Sequence, residues 1–325
     1  MISLSVIIPT TGRADFLKDA LESITKQTLD QNMFEVIVVE NGNKDHTEQV
    51  VKEYQSQIKN LLYVFEPLFG LHRGRHVGYM TSRADILVYA DDDIVAFPTW
   101  LEGIYESFQD DSVVLVGGKC LPKYEGNVPF WIQEMWYKMY HEGHCMTELS
   151  LLDLGDEIQE VSPYYIFGCN YSIRKYILDE THGFHPDGMP FNLIQYRGDG
   201  EMYVNRYIET RGYRVLYNPK AGVFHRVPQS RLTLDYFKKR AFCQGIDFSY
   251  KEKRYHIKTM MAPLRPNNLY QKILFKIQEV IRINKMTDIE KEISKSLLLG
   301  YNYHQYMFEH DNELRAWVEK DNYLD

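Results

Sequence analysis

Ile86-Leu87-Val88-Tyr89-Ala90-Asp91-Asp92-Asp93 is an apolar run of five residues that ends on three consecutive carboxylates. The run has the length of a buried strand. Adjacent acids repel one another and are costly in a core, so the triplet must lie where a counter-charge or water can reach it. In an open α/β sheet, ligands bind beyond the carboxyl ends of the strands. Carboxylate oxygens gathered there suit a hard divalent cation that carries phosphate. Alone, the triplet also reads as a solvated acidic turn; the surrounding sequence decides.

Outward from that stretch, the first 120 residues alternate short apolar runs with helix-spaced ones. Ser5-Val6-Ile7-Ile8 is a strand stopped by Pro9, and Phe16, Leu17, Ala20, Leu21 and Ile24 then fall on one helix face. Residues 36–39 and 61–64 read as the second and third strands, with a helix through Val50, Val51, Tyr54 and Ile58 between them. A helix over roughly 73–81 leads into the strand at 86–90. Trp100, Leu101, Ile104, Tyr105 and Phe108 mark another helix, and residues 113–116 a fifth strand. This alternation predicts a mostly parallel α/β sheet with helices on both faces. Residues 122–165 break the pattern. They are rich in aromatics and turn formers and suit a lid or substrate wall. Beyond about residue 230 the pattern is helical, with a break predicted at Pro263-Leu264-Arg265-Pro266-Asn267-Asn268.

A chain of 325 residues is long enough for one large domain with appended elements, or for two. The net charge of −8 argues against general nucleic-acid binding. That charge is unevenly spread, and residues 231–285 carry 13 basic against 4 acidic side chains. The segment reads either as a solvated helix face or as a peripheral contact with an anionic membrane surface. Cys120, Cys145, Cys169 and Cys243 show no CxxC spacing and read as reduced thiols. No stretch reaches the ~18 apolar residues of a membrane span and no charged leader is visible. The expected location is the cytoplasm, or peripheral at the inner face of the membrane.

Three strand ends collect polar residues: Pro9-Thr10-Thr11-Gly12-Arg13, Glu40-Asn41-Gly42-Asn43 and Asp91-Asp92-Asp93. In a parallel sheet all three lie along one edge, with the parts needed to hold a base, a ribose and a diphosphate. On these residues the chain resembles the inverting glycosyltransferases of family 2, which have the GT-A fold. Residues 5–10 resemble their first strand. Val38-Val39-Glu40-Asn41-Gly42 is similar to their second strand end, with Glu40 where Asp is usual. Gly70 through Gly78 resembles the Arg-Asn-x-Gly helix start, with His76 in place of the Asn. Asp91-Asp92-Asp93 falls on the Asp-x-Asp motif, and Gly168-Cys169-Asn170 looks like the acceptor-side Gly-x-Asn segment. The stretch from Arg197-Gly198-Asp199-Gly200-Glu201-Met202 to Val223-Phe224-His225 is the most specific match, with Gly198 replacing the usual Glu.

The resemblance covers about residues 3–245. It implies a GT-A type, nucleotide-binding, Rossmann-like domain over 1–230, with a nucleotide-sugar half at 1–120 and an acceptor half at 121–230. A helical region, 231–325, follows. The resemblance implies Asp93, Asp91 and His225 as ligands of Mn²⁺ or Mg²⁺, and Thr10, Thr11, Arg13, Glu40, Arg75, Asp91 and Asp92 around the donor nucleotide. Gly168, Asn170, Gly198 and Glu201 would line the acceptor side, and Asp199 would be the catalytic base. The reaction implied is metal-dependent sugar transfer, with inversion, from a nucleotide-sugar to a hydroxyl of a saccharide or lipid-linked acceptor. A UDP-sugar is favoured, and the usual setting is bacterial polysaccharide or glycolipid synthesis. One base and a single displacement fit inversion.

Two other readings compete. A nucleotidyltransferase also places carboxylates at a sheet edge, yet Thr10-Thr11-Gly12-Arg13 lacks the Gly-rich, Lys-containing loop. A non-catalytic carbohydrate-binding protein on a decayed transferase fold would explain Glu40, His76 and Gly198, while the intact Asp93 and Asp199 speak against it. His141 and His144 have no carboxylate at ligand spacing and read as structural. The aromatics of 124–140 read as lid packing or as a stacking surface for a sugar.

Overall fold

The computed structural model describes residues 2–140, 143–257 and 286–324, arranged in two compact units. The larger comprises Met1–Pro190, Gly200–Leu232 and Asn322–Asp325, and the smaller Phe191–Asp199 and Thr233–Asp321.

The larger unit begins with β1 (Leu4–Thr10), α1 (Ala14–Ile24), β2 (Phe34–Asn41), α2 (Thr47–Tyr54), β3 (Leu61–Glu66), α3 (Leu71–Thr81) and β4 (Ile86–Ala90). Next come β5 (Ile94–Ala96), α4 (Trp100–Ser107), β6 (Val113–Gly117), β7 (Cys120–Tyr124), α5 (Phe130–Tyr137), β8 (Met139–Tyr140), β9 (Gly143–Met146), β10 (Leu151–Asp153) and β11 (Gln159–Glu160). The unit continues with β12 (Asn170–Arg174), α6 (Lys175–Thr181), α7 (Glu201–Thr210), β13 (Arg214–Tyr217) and β14 (Val223–Val227).

Eight strands form the main sheet in the order β11-β13-β6-β12-β4-β1-β2-β3. Every residue of β1, β2 and β4 is buried, as expected of Val/Ile-rich strands covered by helices on both faces. The helices cover them with single apolar stripes; α1 buries Leu17, Leu21 and Ile24. The sheet is mostly parallel, with one interior departure: β12 runs antiparallel to both β4 and β6. The aromatic segment after residue 122 mixes short strands with α5, which carries Phe130, Trp131, Trp136 and Tyr137. Strands β7 to β10 join β5 and β14 in a second sheet, ordered β5-β14-β7-β10-β9-β8.

The smaller unit holds α8 (Leu234–Tyr255), α9 (Asp288–His310) and α10 (Asn312–Glu319). Thr233 caps α8, and Thr287 with Glu290 forms a reciprocal capping box on α9. Tyr250, Leu314 and Val318 are its buried centre, against which Tyr196 and Trp317 pack. The helices α8 and α9 touch through backbone. A Cβ added at Gly245 would strike the Leu297 carbonyl, and one at Gly300 the Phe242 carbonyl. Residues 258–285, with the expected break at 263–268 and much of the basic segment, lie outside the described residues, as does His141. No described helix is long and apolar enough to cross a membrane.

Candidate active site

Register brings the predicted strand ends together. The pairing of β1 with β2 sets Thr10 opposite Glu40, and β4 lies on the other side of β1. Because β12 runs antiparallel, its first residue, Asn170, pairs with Ala90, and the preceding Gly168-Cys169 arrives at the same edge as Asp91. The second sheet adds His225. Strand β5 starts directly after Asp93, and His225 of β14 pairs with its first residue, Ile94.

The three carboxylates face three cations. Asp92 is buried, accepts from the Thr10 hydroxyl at 2.6 Å and pairs with Arg13 at 2.6 Å. Asp93 is 1% exposed; its Oδ2 accepts from Arg13 at 3.0 Å and Arg231 at 2.7 Å, and its Oδ1 lies 3.2 Å from His225 Nε2. Burial pushes the Asp92 carboxyl up to about 7, only partly offset by Arg13. Burial and the neighbouring Asp93 likewise raise Asp91. Against the same burial penalty, His225, Arg231 and Arg13 hold Asp93 well below the usual carboxylate range. Burial opposes charge on His225, yet Asp93 lifts it to about 9.

Asp91, Asp93 and His225 each offer one ligand atom, all within 4.8 Å of one another. Two carboxylates and an imidazole are a donor set that suits Mn²⁺ and tolerates Mg²⁺. The other ring nitrogen of His225, Nδ1, donates to the Leu149 carbonyl at 2.8 Å. That bond leaves Nε2 toward the carboxylates, as in metal-ligating histidines generally. The residues therefore fit a hard divalent ion, whose entry would displace the His225 proton.

Other expected contacts are already committed within the protein. Glu40 is fully buried, accepting from the Asp45 amide at 2.6 Å and from the Tyr63 hydroxyl. Arg75 is 3% exposed and ion-paired to Asp187 at 3.0 Å and Glu201 at 3.3 Å. Asn170 accepts from Trp100 Nε1 at 2.9 Å and donates to the Ala221 carbonyl at 2.8 Å, tying α4 to the turn before β14. Gly168 is required by space, because a Cβ there would run into the Arg75 guanidinium. Thr11 is exposed beside Arg13. Gly198 and Asp199 belong to the smaller unit. There Asp199 is 5% exposed and accepts from the Tyr255 hydroxyl of α8 at 2.9 Å.

Residues on these networks that were not singled out in the sequence include Arg231, Asp187 and Tyr255. Arg231 follows β14 by four residues. Asp187 sits in an irregular stretch without a period, and Tyr255 is one of many tyrosines.

A Rossmann-like sheet with this acidic, imidazole-flanked edge defines an enzyme of the glycosyltransferase class with the GT-A architecture. The chain belongs to glycosyl transferase family 2, whose model matches residues 5–180. It is 23% identical over 301 residues, 88% of each chain, to a glucosyl-dolichyl phosphate glucuronosyltransferase of Haloferax volcanii. Over 116 residues it is 31% identical to glycosyltransferase AglE of the same organism, covering 35% of this chain and 38% of that one. Among solved structures, the mannosyltransferase PcManGT from Pyrobaculum calidifontis, in complex with GDP-Man and Mn²⁺, superposes with a TM-score of 0.56 at 15% identity. That likeness covers 95% of this chain and 87% of the mannosyltransferase, and it shows the fold.

Proposed function

We propose that the protein moves a sugar, with inversion, from a nucleotide-sugar to an acceptor hydroxyl in polysaccharide or glycolipid synthesis. The observation that carries this reading is the convergence of Asp91, Asp93 and His225 from two sheets onto one edge. These three residues would hold Mn²⁺ or Mg²⁺, with Asp92 and Thr10 shaping the strand ends beneath them. When bound, the ion supplies Lewis-acid stabilisation of the departing nucleoside diphosphate. Arg13 and Arg231, now paired with Asp93, would turn to the diphosphate as the carboxylates take the ion. Asp199 would accept the proton of the attacking hydroxyl, oriented for it by the Tyr255 hydroxyl. A UDP-sugar remains the favoured donor; GDP-Man in the mannosyltransferase structure keeps the base open. A lipid-linked acceptor gains support from the Haloferax volcanii relative, whose name contains a dolichyl phosphate.

Two matched substitutions test the reading. Asp93→Asn should remove most of the Mn²⁺-dependent affinity for UDP or GDP measured by calorimetry. Asp199→Asn should leave that affinity intact and lower turnover by about 10²–10⁴-fold. Unchanged metal-dependent affinity in the first variant sinks the metal site. Transfer within a few-fold of wild type in the second sinks the base.

A further inference from the structure

His76 stands where the family resemblance leads one to expect Asn, and it makes two bonds at once. The Phe184 amide donates to its Nε2 at 2.9 Å, and its Nδ1 lies 3.1 Å from the carbonyl of Tyr323. An N–H that donates to Nε2 fixes that nitrogen as the acceptor, so the ring proton sits on Nδ1 and points to Tyr323. An Asn side chain is too short to span both partners. Burial lowers the ring to about 3, which keeps it neutral in this bridging tautomer.

Tyr323 is 2% exposed. Its ring meets His185 edge-on at 5.3 Å, and His185 stacks at 3.8 Å on Tyr203 of α7. It also meets His72 of α3 edge-on at 6.5 Å. One side chain thus touches α3 at His72 and the loop at 183–187 at His185, which carries the contact on to α7. The same three elements hold the ion pairs of Arg75, with Arg75 on α3, Asp187 on the loop and Glu201 at the start of α7. Phe184, whose amide His76 holds, lies under the Arg75 guanidinium at 5.2 Å. The Asp187 carbonyl in turn accepts from the Leu71 amide at 3.0 Å, fastening the loop to the first residue of α3.

We propose that residues 322–324 form a strap that positions Asp187 and Glu201 around Arg75, with Tyr323 as the positioning residue and His76 as its receptor. The strap deepens the transferase reading and rests on it only for the activity arm of the test. Glu201 opens α7 two residues after Asp199, so the strap sets the segment that leads from the proposed base. Losing it should loosen the loop and the start of α7 while leaving the nucleotide-side strand ends in place.

The test uses the full chain carrying Tyr323→Ala or His76→Asn, with Tyr323→Phe as the conservative control. Amide exchange is followed by mass spectrometry in peptides covering 183–190 and 200–205, against a reference peptide covering 34–41. Consumption of UDP-glucose, UDP-N-acetylglucosamine and GDP-mannose with Mn²⁺ is followed in parallel. In the first two variants, exchange in the two test peptides should rise about tenfold, with the reference unchanged. For the sugar nucleotide the wild type consumes, kcat should fall about tenfold with KM within about twofold. Tyr323→Phe, which keeps the ring contacts with His72 and His185, should stay closer to wild type than Tyr323→Ala in both measurements. Unchanged exchange at 183–190, or an equal rise in the reference peptide, overturns the strap. A wild type that consumes none of the three sugar nucleotides counts against the transferase reading, and the exchange arm then decides the strap alone.

Discussion

Around Asp93, three adjacent carboxylates face Arg13, Arg231 and His225; around Arg75, one guanidinium faces Asp187 and Glu201. Both clusters draw on at least three segments of the larger unit and both lie largely out of water. They differ in how their cations are held. The side chains of Arg13 and Arg231 are 36% and 21% exposed, so water can replace either when it leaves Asp93. Arg75 and Asp187 are 3% and 6% exposed, and neither has solvent to turn to. Charge at a protein edge can therefore be exchanged for a ligand, whereas charge at the same density inside a closed network only fixes geometry. A motif-level reading of both clusters as ligand-facing misses that difference.

Paired truncations give the largest expected contrast. Arg75→Met takes the buried guanidinium away from Asp187 and Glu201 and should cost about 3–5 kcal/mol in urea denaturation. Arg231→Met leaves Asp93 with Arg13 and His225 and should cost only about 1 kcal/mol. Equal costs would erase the distinction.

Next in size is a pH effect at a buried carboxylate outside both clusters. Asp247 of the smaller unit pairs with Lys251 at 3.0 Å and accepts from Gln244 at 2.7 Å, yet burial raises it to about 6 from 3.8. A raised folded-state value means the native state binds a proton that the unfolded state has released. Its contribution is thus fully present below pH 3.8 and is lost as pH rises through about 6. The difference in unfolding free energy between wild type and Asp247→Asn should change by about 3 kcal/mol from pH 3 to pH 7. No change across that range would place Asp247 with the fully compensated charges.

Slightly smaller is the response to metal. Mn²⁺ at about 100 times its Kd should stabilise wild type by about 2.7 kcal/mol, and Asp93→Asn hardly at all. Equal thermal shifts in both would remove the claim that the first cluster exchanges counter-charge for ligand. The smallest effect belongs to the surface. Lys238 and Glu292 pair at 3.3 Å with half-exposed side chains, and Lys238→Glu should cost less than about 1 kcal/mol in a melting experiment.

The strand ends were legible because period and punctuation agree there. Apolar runs of four or five residues, each followed by turn or polar residues, read as strands with polar exits, and register then sets Thr10 opposite Glu40. Among the described residues after 230, the helical character was legible in the same way. The antiparallel insertion of β12 was not, since its residues read alike in either direction. Nor could pattern reveal that Glu40, Arg75 and Asn170 spend their polar atoms on Asp45, Asp187 and Ala221, partners that only folding brings near. Where a usable signal did exist it was a mismatch: His76 in place of Asn marked the receptor of the strap.

The glycine contact between α8 and α9 constrains how this fold can diverge. Helices that meet through side chains can drift, since a larger residue on one is offset by a smaller one on the other. Gly245 and Gly300 meet carbonyls of the opposite helix and leave nothing to trade. The crossing point is thus a fixed pin, and neither helix can gain or lose a residue next to it without turning the pin out of register by about 100°, one residue's share of a helical turn. Homologues should therefore keep the spacing within each helix on either side of the crossing point, and the two glycines should be inherited as a pair.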